Sequence, residues 1–375
     1  MAEQTVLVTG AAGRWGSRLV RHLSKRHGYR LIGLDLRDPQ QQFEGVRFVR
    51  ADLTNPQLVE LLRTERVDTV VHLVFASGLE PGSPRLSSEE AFQINVMGTH
   101  EVLAACYASN VRQVVLKSST IVYGAQVDNP LYLREQAPLR ARRSAMPNLR
   151  DRLEIESAVD AFRQRHRRPA IAILRFPGIL GPTIRSSLAR YLAQPAPPTL
   201  LGFDPLYQII HEDDVVAALA HVVEHGGDGP YNIAADGVLA LSQLIRRCGR
   251  QPLPVAHPLA SWLQRLLPGG RQQVIRELLP FDADYLRYPW IVDTRRMREE
   301  LQFEPRYTAD ETIQAFASAL RLRPFADIIE RRRQAARQFQ KHEGPDDDDT
   351  IAIAGEQNGD QSLPKPLPFQ QEEQS

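Results

Sequence analysis

Apolar runs rich in β-branched residues alternate with helical patterns through the first half of the chain. Val6-Leu7-Val8 precedes the helix-like stretch Ser17 to Leu23, and Leu31-Ile32-Gly33-Leu34 and Val46-Arg47-Phe48-Val49 follow. A helix opened by Thr54-Asn55-Pro56 leads to the buried run Val67 to Val74 and to a long helix over Ala91 to Ala108. Val111 to Leu116 and Ala170 to Leu174 complete the series. Short continuous apolar runs separated by helices are the signature of strands buried on both faces. The pattern therefore predicts an α/β fold built on a doubly wound parallel sheet. Ligands of such sheets lie at the carboxyl ends of the strands, which singles out residues 10–16, Asp35, Asp52, 73–75, 118–119 and 175–178.

The first of these positions carries chemistry. Thr9-Gly10-Ala11-Ala12-Gly13-Arg14-Trp15-Gly16 lies between the first strand and the first helix. Gly10 permits a sharp turn, Gly13 admits a pyrophosphate to the backbone amides, and Gly16 lets helix and strand pack closely. The helix start then offers unpaired N–H groups to the phosphates. Asp35 ends the second strand near the spacing of a ribose-binding acid, which favours NAD and disfavours a 2′-phosphate. Arg37 can be read in two ways, as a solvated loop charge or as a partner for the NADP phosphate.

From Pro177 the rhythm breaks, with Pro182, Pro195, Pro197 and Pro198 interrupting short elements. The expected organisation is a dinucleotide-binding domain over residues 1–177 to which 205–237 return, and a smaller C-terminal substrate lobe over 178–204 and 238–330. Residues 341–375, with the run Asp346 to Asp349, lack aliphatic periodicity and read as a disordered tail. The formal net charge of +1 supplies no global attraction to nucleic acid or to an anionic membrane, so Arg331-Arg332-Arg333 reads as a solvated helix face. Cys106 and Cys248, the only cysteines, stand in apolar contexts and support neither a disulfide framework nor a metal site. No room for a secretory signal precedes the first strand, and no stretch approaches the ~18 apolar residues of a membrane span. A cytoplasmic location is expected.

Further motifs follow in order: Asp52-Leu53, His72-Leu73-Val74, Asn95-Val96-Met97-Gly98-Thr99, Ser118 to Gly124, Leu174-Arg175-Phe176-Pro177, His211 to Val215 and Tyr231 to Ala234. With the glycine turn they make the chain resemble the extended short-chain dehydrogenase/reductases, in particular the NAD-dependent epimerase/dehydratase group, over roughly its first 320 residues. The resemblance implies a Rossmann fold and a homodimer. It also implies that Arg14, Trp15 and Pro177 contact the cofactor, that Asp52 and Leu53 hold adenine, and that Leu73 and Val74 line its path. Asn95 would steady the central helix, and Ser119 would donate to a substrate oxygen. Local alternatives are a helix-interior amide for Asn95 and a turn residue for Ser119.

The family's chemistry rests on Tyr-x-x-x-Lys one helical turn apart, with the lysine holding ribose and lowering the phenol pKa. In register with that pattern this chain has Asn148 and Arg152. Its four lysines are Lys25, Lys117, Lys341 and Lys365, and none lies three or four residues after a tyrosine. An amide does not titrate, whereas Arg152 can still bind ribose hydroxyls. Tyr123 reads as a packing aromatic or a substitute acid, and Lys117 as a snorkelling lysine or a substitute base. Arg134, Arg140, Arg142, Arg143 and Arg150 form a basic loop that is solvated or suited to a phosphate-bearing ligand such as a nucleotide sugar. The expectation is an NAD-binding, ligand-responsive protein with weak or no hydride transfer. The competing expectations are an active epimerase, dehydratase or oxidoreductase with a displaced acid/base, and a dimeric scaffold.

Overall fold

Seven parallel strands form one sheet in the order β11-β6-β5-β4-β1-β2-β3. They are β1 (Gln4–Thr9), β2 (Tyr29–Asp35), β3 (Val46–Arg50), β4 (Thr69–His72), β5 (Gln113–Ser119), β6 (Ala170–Phe176) and β11 (Gly229–Asn232). The computed structural model describes residues 3–41, 43–76, 86–141, 147–256 and 282–322. From β1 the chain first adds β2 and β3 on one side, then returns to place β4 against the other side of β1. This reversal opens a crevice at the carboxyl ends of β1 and β4. In register, Thr9 faces Leu34 on one side and His72 on the other, and Ser119 faces Phe176.

Alternation along each strand divides the core between the two faces. Val6, Val8, Val115 and Leu174 pack with α1 (Arg14–Leu23) and α7 (Glu212–His225), whereas Leu7, Val114, Leu116 and Ile173 pack with α2 (Gln57–Thr64), α4 (Gly98–Ala108) and α5 (Pro147–Arg165). By the same parity Lys117 belongs to the α1 face and Ser118 to the α5 face.

The expected long helix begins earlier, as α3 (Ser88–Phe92), where Ser87 and Glu90 form a capping box. Residues Gln93–Met97 then make a π-helical turn before α4. The expected strand at Tyr231 to Ala234 lies two residues earlier. Ile233 N still donates to Arg175 O, but Ala235 N turns away to Ile209 O, and pairing with β6 ends. After β6 come β7 (Gly178–Leu180), α6 (Ser187–Ala193), β8 (Pro198–Leu200), β9 (Leu206–Tyr207) and β10 (Ile209–His211), with β7 and β10 paired in parallel. Cys106 and Cys248 are buried free thiols, and burial pushes that of Cys248 up to about 11.

Among the described residues, no helix is long and apolar enough to cross a membrane. The expected tail from residue 341, Arg331 to Arg333, Arg142, Arg143 and the side chain of Asn148 lie outside the described set.

Candidate functional site

The glycine turn is held by sterics and by one carboxylate. Gly10 has φ +70°, and a Cβ there would lie 3.1 Å from the Leu73 carbonyl carbon and Val74 N. A Cβ on Gly16 would lie 2.1 Å from Gly10 O, so only glycine lets α1 approach the strand this closely. Gly13 stands at the N-cap of α1 with no side-chain cap and no acid in the first turn, leaving the amide end of the helix open to an anion. The Asp35 carboxylate accepts from Ala12 N and Arg37 N, each at 3.0 Å, with Arg37 Nε 3.8 Å away. Asp35 thus braces the turn from the end of β2.

A crevice of about 850 Å³ runs across the strand ends. Gly10, Gly13, Arg14, Trp15 and Gly16 line its centre, and Asp35, Arg37, Asp52 and Leu53 one side. Leu73, Val74, Ser119, Arg152 and Pro177 line the other. Among its described lining residues Arg14, Arg37, Lys117, Arg152 and Arg185 carry positive charge, against the two acids Asp35 and Asp52. The near-neutral chain concentrates cations where an anionic ligand fits.

Behind the β4 edge a buried chain of hydrogen bonds joins the turn to the π-helical segment. His72 Nδ1 lies 2.8 Å from Thr9 Oγ1, and Nε2 lies 3.1 Å from Thr99 Oγ1. The Thr99 hydroxyl donates to Asn95 O, so Nε2 carries the proton and Nδ1 accepts from Thr9, whose oxygen also receives Leu73 N. Burial pushes the His72 imidazole down to about 4, which keeps it neutral. The Asn95 amide accepts from Ala76 N, donates to Ala76 O and donates to Asp151 Oδ2 at 2.8 Å. Fully buried, Asn95 is not among the crevice-lining residues. Its amide ties the loop after β4 to α5.

On α5, Arg152 lays its guanidinium 3.7 Å from the centre of the Phe75 ring. Burial pulls its pKa down to about 10, opposed by Glu156 and Asp151, so it stays charged at neutral pH. Ser119 accepts from Ile121 N at 3.4 Å and keeps its place on the crevice wall. Its neighbour Ser118, pointing to the opposite face, donates to Glu156.

Tyr123 is a packing residue. Its hydroxyl donates to Asn232 Oδ1 at 2.7 Å and accepts from Arg175 at 2.6 Å, and burial pushes it up to about 12. It is fully buried and does not line the crevice, which removes it as a substitute acid. Of the basic loop, Arg134, Arg140 and Arg150 are described, and each engages a residue outside the crevice lining. Arg134 pairs with Asp293, Arg140 with Asp128, and Arg150 lies over Phe92. None of these three lines the crevice.

Distant segments complete the wall beyond Ser119. Tyr207 and Tyr285 each meet Trp290 edge-on at 4.7 Å, and the Tyr285 hydroxyl donates to Ile121 O. Arg185 joins them from the loop before α6. The long sequence separation of these residues hides their grouping, and no local pattern announces it.

A model of the NAD dependent epimerase/dehydratase family matches residues 6–234. An uncharacterized protein of Mycobacterium tuberculosis is 38% identical over 334 residues, covering 87% of this chain and 86% of its own. The fold is similar to that of UDP-glucuronic acid 4-epimerase from Bacillus cereus in complex with NAD, with TM-score 0.63 and 18% identity over 85% of this chain and 99% of the other. UDP-glucose 4-epimerase from Thermotoga maritima with UDP-glucose gives TM-score 0.62 and 17% identity over 85% and 99%.

Proposed function

Because the chain belongs to the NAD-dependent epimerase/dehydratase family, we propose that it binds NAD across the crevice and acts as a ligand-responsive binding protein with little or no hydride transfer. Asp35 carries the reading. At the crevice wall, with its carboxylate already aligned by two backbone amides, it is placed to accept from ribose hydroxyls and to repel a 2′-phosphate. The open N-terminus of α1 offers amides to a diphosphate, and Leu53 supplies an apolar surface for adenine. Bound NAD supplies a hydride acceptor at its nicotinamide ring.

The protein groups that would move a proton are absent from their usual place. Asn148 stands where the family's tyrosine would be, and its amide neither releases nor takes up a proton. Arg152, charged and on the crevice wall, serves as a ribose donor in place of the lysine. Losing a positioned acid/base costs about 10²- to 10⁴-fold in rate, or roughly 3–5.5 kcal/mol of barrier. The second ligand in this reading is a small anionic molecule of the nucleotide-sugar class, met by Arg185 and the excess positive charge. The same reading carries a homodimer, which sedimentation measures.

Calorimetric titration with NAD and NADP tests the binding. NAD is expected to bind more tightly, and absence of any binding ends the reading. A panel of nucleotide sugars added to the NAD-loaded protein is expected to bind without reducing NAD. Asn148→Tyr with Arg152→Lys is expected to gain slow reduction. Rapid turnover by the unaltered protein would support the displaced acid/base instead.

A further inference from the structure

Arg152 brings a guanidinium to the crevice wall that the acids of its own helix do not hold. Glu156, one turn further along α5, is taken by Arg175 and Ser118, and the Asp151 carboxylate accepts from Asn95. Among the described residues Arg152 makes no hydrogen bond or ion pair. Its guanidinium lies instead over the Phe75 ring, 3.7 Å from the centre. At that separation the flat head rests against the ring face, a fit suited to the planar and weakly hydrated guanidinium. Both residues line the crevice.

A single amide fixes the two halves of this stack. Asn95, in the π-helical turn, accepts from Ala76 N at 2.6 Å, donates to Ala76 O at 3.1 Å and donates to Asp151 Oδ2 at 2.8 Å. Ala76 follows Phe75 and Asp151 precedes Arg152, so one side chain holds the neighbour of each partner. Leu73 N, donating to Thr9 O and to Thr9 Oγ1, secures the same loop at its start. A long side chain that is mobile before binding must give up its rotamer freedom when a ligand arrives, and a stack formed beforehand removes that cost from the binding step. Stacking occupies only the face of the guanidinium. All of its donors lie in the plane, at the edge, and stay available to a ligand oxygen.

We propose that Phe75 is a positioning residue, which holds the Arg152 guanidinium flat against its ring so that the N–H edge is ready for an oxygen of the crevice ligand. The inference rests on the reading that NAD binds in the crevice with Arg152 as a ribose donor, and it adds the residue that prepares Arg152 for that task. It requires no chemical step.

A double-mutant cycle on the full-length protein tests it. Phe75→Leu, Phe75→Tyr, Arg152→Met and the combination of Phe75→Leu with Arg152→Met are titrated calorimetrically with NAD, and thermal melting of the free proteins checks that they fold. Phe75 is only partly buried, so Phe75→Leu keeps apolar bulk on the loop and removes chiefly the ring face. It is expected to bind NAD about fivefold more weakly. Arg152→Met is expected to bind about tenfold more weakly, and Phe75→Tyr, which keeps the face, as tightly as the unaltered protein. With Arg152→Met in place, Phe75→Leu is expected to cost nothing further, because the ring has no guanidinium left to hold. A loss from Phe75→Leu that is the same with and without Arg152 overturns the proposal, since the ring then acts on the ligand or the loop directly. Unchanged affinity in Phe75→Leu overturns it as well. If the unaltered protein binds no NAD, the NAD reading falls and this inference falls with it. If NAD binds and the cycle shows no coupling, only this inference falls.

Discussion

The Arg175 guanidinium donates to the Glu156 carboxylate through both Nε and Nη2, with 5% and 3% of the two side chains exposed. Arg175 also donates to the Tyr123 hydroxyl and to Glu135 O, and Glu156 also accepts from Ser118. The pair thus joins α5, β5 and β6 directly beneath the crevice wall. Removing one partner leaves the other charge buried without compensation, at a typical cost of about 3–5 kcal/mol. Glu156→Ala should therefore lose about that much stability in urea denaturation, whereas Glu156→Met combined with Arg175→Met should lose distinctly less. Equal losses in the single and double variants would contradict an ion pair held by mutual compensation.

His72 gives the protein a measurable acid sensitivity. Its folded-state pKa of about 4 lies below the ordinary 6.5, so the unfolded chain binds the extra proton between these values. The stability linked to neutral His72 is complete above pH 6.5 and is lost as pH falls towards 4. The difference is worth about 3 kcal/mol. His72→Gln retains an amide donor and acceptor but cannot titrate. Between pH 7 and pH 4 the unaltered protein should lose about 3 kcal/mol more than this variant, and parallel stability curves would refute the assignment.

Gly16 sets two effects against each other. Alanine within a helix is favoured over glycine by about 1 kcal/mol. A Cβ at this position, however, would lie 2.1 Å from Gly10 O and 2.7 Å from Ala11 Cα, both backbone atoms that cannot rotate away. Overpacking of this kind costs about 1–3 kcal/mol, so sterics should win. Gly16→Ala is expected to melt at lower temperature and to bind NAD at least tenfold more weakly, because α1 must move off the turn. A variant as stable and as tightly binding as the parent would show that the turn tolerates displacement.

Much of the crevice was legible in the sequence because its signals are local. The spacing of Gly10, Gly13 and Gly16 marks the turn, and apolar runs mark strands whose ends must share an edge. Strand parity also places Lys117 and Ser118 on opposite faces. The direction of the basic-loop side chains was not legible, because proximity in sequence says nothing about where a side chain turns: Arg134 and Arg140, both well exposed, pair with Asp293 and Asp128. The π-helical turn at Asn95 had no compositional mark. Tyr207, Tyr285 and Trp290 reach the wall from far along the chain, where only the fold reveals their meeting.

In the proposed reading Asp35 links the architecture of the turn to the choice of nucleotide. Both of its oxygens accept backbone amides, and an asparagine must present an NH₂ group to one of those donors. Asp35→Asn therefore weakens the brace while also removing the negative charge that repels a 2′-phosphate. Arg37, whose Nε lies 3.8 Å from the carboxylate and whose side chain is 62% exposed, then becomes available to a phosphate. NAD should bind about tenfold more weakly to this variant and NADP should lose less than that factor, so the ratio of NAD to NADP affinity should fall, because NADP loses repulsion as it loses the brace. The two effects separate in a paired titration. A loss shared equally by both nucleotides means that Asp35 acts only on the turn; a fall confined to the ratio means that it acts only through charge; the proposed reading, with both oxygens engaged at the crevice wall, expects both.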